Sequence, residues 1–278
     1  MREPEDVERR VRLATALGFL PGVADQSEGP MADVARWFAA VGGAGWEVKR
    51  LELGADLGQL MAIVGGPSAE MMGPLGDHFG MVDASESDVE RARGLGMALE
   101  PAGVSMWLEA GPHGLAAGYG LIGNFGLEAV ASAEARVPRE LAGCGLGEVH
   151  EVGASAGLTH GVVTLRAPIP MERDVGEVVE AVAALFEVET FEGELMAALT
   201  GGRPGAELHL VLGEDGLVAF GVSVDGVDHE AVVGLAELCG GELDGLARFE
   251  GALGVERRGA VLWRDADGVR ASFTFELG

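Results

Sequence analysis

Lysine, tyrosine and cysteine are almost missing from this chain: one lysine, one tyrosine and two cysteines in 278 residues. With Lys49 as the sole lysine, no Gly-Lys-Ser/Thr phosphate loop can be written. Cys144 and Cys239 lie far apart and form no Cys-x-x-Cys pair, so neither a zinc knuckle nor a dithiol motif is encoded. They read as free thiols of a reducing compartment. Positive charge is also scarce, 19 basic against 45 acidic residues for a net charge of −26. Such a surface repels phosphate backbones and anionic lipid, which excludes nucleic acid as a partner. No apolar run approaches the roughly 18 residues of a membrane span, and the first residues lack a signal-peptide pattern, so the expectation is a cytoplasmic protein with no membrane partner. Arginine, alanine and glycine in place of lysine is the usage of a GC-rich, bacterial genome.

Metal spacing is lacking as well. The six histidines, His78, His113, His150, His160, His209 and His229, form no His-x-x-x-His or His-Glu-x-x-His pair. No metal and no cofactor is expected on that basis. Gly-x-Ser sequences lack the second glycine of a nucleophile elbow, so a hydrolase triad has no support. Gly118, Gly120 and Gly123 fit Gly-x-Gly-x-x-Gly, but inside an expected strand and among 46 glycines the match carries little.

What the chain does have is a large apolar share, 48%, enough for a sizeable core, and an internal repeat. Leu108 to Val130 returns as Leu210 to Val232 at an offset of 102, with eight of 23 positions identical, among them Gly111/Gly213, Gly114/Gly216 and Ala117/Ala219. Both copies read as strand, glycine-bounded turn, strand and helix start. Leu60 to Val64 aligns with Val162 to Arg166 at the same offset.

Periodicity places the remaining elements. Helices start at Pro4 and Met31, and Asp174 and Asp228 occupy N-cap positions. Ser87 and Glu90 have capping-box spacing, so a helix is expected to start there after a loop or frayed helix end over Gly76 to Gly80. At the C-terminal end, Val269, Ala271, Phe273, Phe275 and Leu277 alternate with Arg270, Ser272, Thr274 and Glu276, the pattern of a strand with one core face and one wet face.

The order suggests an internally duplicated α+β protein: two ferredoxin-like β-α-β-β-α-β units with antiparallel sheets and helices on one face, after N-terminal helices. The expected division is a helical segment over 1–45, a first repeat over 46–150 and a second over 151–278, the repeats either separate or joined about a pseudo-twofold axis.

Among possible site residues, Asp77 beside His78 is the most suggestive pair, since a carboxylate can orient an imidazole for acid–base work. His160 and His113 are further acid–base candidates, and Glu148, His150 and His160 could meet on neighbouring strands. No histidine recurs at the offset of 102. The absence of a catalytic motif favours a non-enzymatic binding protein of adaptor or chaperone type, with Met71, Met72, Met106 and Trp107 lining an interaction groove. The alternative is a small-molecule sensor or enzyme using the cleft between the halves. A protein or a small molecule is the expected partner.

Overall fold

Alternation along the strands decides the architecture. In the last strand Ala271, Phe273 and Phe275 are buried, while Ser272 and Thr274, on the opposite face, are buried too. A strand covered on both faces, one apolar and one polar, suits the wall of a barrel with helices outside and a polar interior.

The computed structural model describes residues 4–20, 29–41, 48–112, 114–158, 161–201, 205–254 and 257–277. Its elements fall into five helix-helix-strand-strand units. The first is α1 (Pro4–Leu17), α2 (Pro30–Val41), β1 (Val48–Gly54) and β2 (Leu60–Pro67). The second is α3 (Ser68–Met81), α4 (Glu86–Leu99), β3 (Gly103–Gly111) and β4 (Gly114–Gly126). In the third, α5 (Leu127–Ala133) and a 3-10 turn (Arg139–Cys144) precede β5 (Glu148–Ser155) and β6 (Val163–Ile169). The fourth is α6 (Val175–Leu185), α7 (Gly193–Thr200), β7 (Ala206–Leu212) and β8 (Leu217–Asp225). The fifth is α8 (His229–Leu238), α9 (Leu243–Leu253), β9 (Arg257–Asp265) and β10 (Gly268–Glu276).

Each strand pairs antiparallel with its sequence neighbours, and β1 pairs with β10, so the ten strands close into a barrel. The expected pair of ferredoxin-like units is therefore wrong. The elements follow the expected order along the chain, but the repeat spans two of the five units. Moreover, the offset of 102 aligns β3 with β7 face for face and puts β4 out of phase with β8. Tyr119 points outward against Phe79 of α3, ring centroids 5.6 Å apart, whereas Gly221 faces inward against Trp263. A one-residue slip turns every side chain of a strand over.

The apolar strand faces pack on the helices. Phe275 of β10 meets Phe249 of α9 at 5.3 Å, and Phe220 of β8 meets Phe191, just before α7, at 4.9 Å. Asp174 and Asp228 cap α6 and α8 as expected, each accepting a backbone N–H three residues on. Two local expectations are refined. Residues 76–80 take the helical of the two expected forms, because α3 runs on to bury His78 and Phe79 against the barrel. The cap of α4 is Ser85, whose hydroxyl accepts from the Asp88 N–H while the Asp88 carboxylate accepts from the Ser85 N–H.

Candidate active site in the barrel lumen

Residues opposite each other on paired strands share a face, so the registers identify the inner wall. Glu52 pairs with Met61 and Met61 with Glu109, while Ile63, Trp107 and Gly118 make a second row. A third row runs Glu151, Arg166, His209, Gly221, Trp263 and Arg270. The barrel is thus lined by carboxylates, guanidiniums and two indoles.

At its centre Glu52, nine-tenths buried, accepts hydrogen bonds through the same oxygen, Oε1, from Trp263 Nε1 at 3.0 Å and Ser272 Oγ at 2.5 Å. Trp263 meets the His209 ring edge-on at 5.4 Å and carries the Arg270 guanidinium 5.7 Å from its ring centre. Glycines opposite make room for the indoles: a Cβ at Gly118 would lie 2.3 Å from the Trp107 ring, and one at Gly221 would lie 2.8 Å from that of Trp263. The glycines of the Gly-x-Gly-x-x-Gly match are therefore packing positions, not a phosphate loop.

Where hairpin turns join the strands, a cavity of about 490 Å³ opens, lined among others by Asp56, Gln59, Glu109, Asp265 and Arg270. Gln59 ties this end together: its Nε2 donates to Glu109 Oε1 and its Oε1 accepts from Arg270 Nε at 3.0 Å. Arg270 also pairs with Asp265. Burial, reinforced by the charge of Glu52, raises the Glu109 pKa above the usual carboxylate range, against the opposing pull of Gln59 and Arg270.

Toward the end where helices join the strands, guanidiniums stand among carboxylates. Arg166 lies 3.3 Å from Glu207 through its Nε and 3.6 Å from Glu151, and Arg50 lies 3.8 Å from Glu276. His150 Nδ1 is 2.9 Å from Glu207, and Ser105 Oγ donates to Glu151 at 2.8 Å. His209, bonded through Nε2 to Ser223 Oγ at 2.7 Å, has its pKa lowered to about 3, first by burial and then by Arg166, with Arg50 adding to it. Two guanidiniums therefore act on one point in the lumen. Glu207 is held below its ordinary pKa because Arg166 and His150 outweigh its burial.

The candidates named from sequence lie elsewhere. His78 is buried outside the barrel wall, its Nε2 donating to Gly118 O at 3.0 Å and its Nδ1 without a partner; burial lowers its pKa to about 4. Asp77 is exposed, so the adjacent pair points apart. His113 and His160 lie outside the described residues. His150 meets Glu207, not Glu148, which is exposed. Met71 and Met106 are core residues. A second cavity, about 360 Å³ between α3 and α4, is apolar apart from Ser68 and Arg93 and offers no carboxylate or imidazole. Among the described residues no cluster of three or more His, Cys, Asp or Glu has metal-binding geometry, and no helix is long and apolar enough to cross a membrane.

By sequence no family profile and no curated protein matches the chain. By structure it is similar to the 5-dimethylallyltryptophan synthase of Streptomyces coelicolor, with a TM-score of 0.67 and 12% identity over 97% of this chain and 96% of that one. It is also similar to the NotF prenyltransferase, with a TM-score of 0.51 and 11% identity over 84% and 80%. The fold, a closed ten-stranded antiparallel barrel with helices outside, resembles the barrels of these two prenyltransferases. Both counterparts are named as enzymes, which reverses the expectation of a non-enzymatic adaptor. The alternative of a small-molecule enzyme fits better, with the cavity inside one barrel instead of between two halves. Glu52, Glu109, Arg166, Trp263 and Arg270 carried no signal of their own in the sequence. The nearest thing to one is the mixture of large charged and aromatic residues on the polar face of successive strands.

Proposed function

We propose that the chain is an enzyme that transfers a prenyl group to an aromatic small molecule within the lumen. The observation that carries the reading is the order of groups along the barrel: two guanidiniums paired with carboxylates toward one end, indole walls and a fixed carboxylate in the middle, and an open acidic cavity at the other. A prenyl donor loses its leaving group as an anion such as diphosphate. Arg166, flanked by Glu207 and Glu151, and Arg50 are the guanidiniums at that end that would receive the charge. The acceptor ring lies against Trp107 and Trp263, which offer aromatic contact.

Glu52 is the base in this reading. Its Oε1 is fixed by two donors, leaving Oε2 to take the proton that the acceptor gives up. The step balances: the carbon–oxygen bond of the donor breaks and its electron pair leaves with the diphosphate. The allylic carbon bonds to the ring, and the displaced ring proton passes to Glu52. The partners are then small molecules, and the free thiols Cys144 and Cys239 suit a cytoplasmic setting.

Incubation with dimethylallyl diphosphate and a panel of indoles, tryptophan included, followed by mass spectrometry, is the test. The expected product gains one dimethylallyl group and appears together with free diphosphate. No product from any acceptor, with no donor binding by calorimetry, would overturn the reading.

A further inference from the structure

We infer that the acceptor is a cation: a planar aromatic ring bearing a protonated amine and no carboxylate, with Glu109 as the residue that selects it. This rests on the reading of the lumen as an acceptor site and adds the charge of the molecule that enters it.

Charge at the turn-end mouth is the first support. Asp56, Glu109, Asp265 and Asp267 line the cavity against a single guanidinium, that of Arg270. Arg270 is already engaged by Asp265 and Gln59, and the described lining holds no second arginine or lysine to receive a substrate carboxylate. The second support is the state of Glu109. It is one of two half-buried acids in that lining, with Asp265, which pairs with Arg270, and its described hydrogen bond, from Gln59, reaches Oε1. The cavity that Glu109 lines measures about 490 Å³, in the size range of small-molecule pockets. Burial and the nearby Glu52 make ionisation of Glu109 unfavourable in the empty site, and an ammonium group beside it relieves that cost. An acceptor with its ring toward Trp263 and its ammonium at Glu109 has its reacting end near Glu52. The third support is long-range: a net charge of −26 raises the local concentration of small cations and repels anions.

The test needs no prenyl donor. Wild-type protein is titrated calorimetrically with tryptamine, with neutral 3-methylindole and with indole-3-acetate at pH 8, then with tryptamine at pH 5. Tryptamine is expected to bind at least about tenfold more tightly than either of the others. The preference should shrink as the pH is lowered and Glu109 takes up a proton, and collapse in Glu109→Gln. Equal binding of tryptamine and 3-methylindole, or tighter binding of indole-3-acetate, overturns the inference, and this wild-type comparison stands even if the variant does not fold. Prenylated 3-methylindole without a preference for tryptamine would sink the inference and leave the prenyl-transfer reading intact. A tryptamine preference with no product from any donor would do the reverse.

Discussion

At the scale of single residues, Glu52 and Glu109 are two carboxylates with different environments and different tasks. Glu52→Gln keeps the hydrogen-bond geometry to Trp263 and Ser272 but cannot accept a proton; turnover should fall by about 10²–10⁴-fold while acceptor binding changes little, checked by steady-state kinetics beside calorimetry. Glu109 has the opposite linkage from a salt-bridged acid. Its folded pKa lies above the ordinary 4.5, so the folded state binds more protons than the unfolded one between those values, and stability falls as pH rises through that window. Glu109→Gln is therefore expected to raise the urea midpoint at pH 7 and not at pH 4. His78 runs the other way: with a folded pKa of about 4 against 6.5, its contribution is present above pH 6.5 and is lost as pH falls toward 4, by up to roughly 3 kcal/mol. His78→Gln, which can still donate to Gly118 O, should flatten the acid limb of a stability-against-pH curve. None of these roles is legible locally. Glu52 and Trp263 meet across 211 residues of chain, whereas Asp77 and His78 are neighbours in sequence and face apart on the helix.

At the scale of elements the sequence was a good guide, because hydrophobic period and caps are local properties. The strand pairs, the Asp174 and Asp228 caps and the tight turn at Gly216, with φ of 127°, are all visible in the chain. The choice between loop and helix end over residues 76–80 is equally physical: glycines at 76 and 80 and a proline at 74 argue against a helix, but burying His78 and Phe79 outweighs their propensity cost. Assembly was hidden for a different reason. A polar strand face looks the same whether it meets solvent or a polar lumen, so Ser272 and Thr274 were read as wet although both are buried. Strand β4 offers the element-scale test. Its inner face is kept clear at Gly118, where an added methyl would lie 2.3 Å from the Trp107 ring and 2.4 Å from Ala154 O. Gly118→Ala should destabilise the protein by about 1–3 kcal/mol through overpacking and move the Trp107 indole into the lumen. The first effect is read by urea denaturation, the second by a change in tryptophan fluorescence that Gly126→Ala, with no atom near its added Cβ, does not produce.

For the whole molecule, closure governs both function and folding. The proposed site exists because β1 and β10 pair: Glu52 comes from β1, Ser272 and Arg270 from β10, and Glu52 and Thr274 are register partners across the seam. An open sheet of the same strands would put the carboxylates and indoles of its polar face into water, where neither a raised Glu109 pKa nor a shielded acceptor could be maintained. Closure also removes the edges through which strands pair with other chains. Ending the chain at Asp267 deletes β10, exposes the edges of β1 and β9 together and takes Phe275 away from Phe249. Such a chain should lose its cooperative thermal transition and aggregate, as judged by calorimetry and size-exclusion chromatography. Removal of α1 is the matched control, since that helix packs outside the wall against α9 and α2. The shortened protein should melt at a lower temperature but still cooperatively, with Glu52 and Trp263 still paired. If loss of β10 were tolerated as well as loss of α1, the seam would not be what holds the carboxylate to the indole, and the central geometry would need another source.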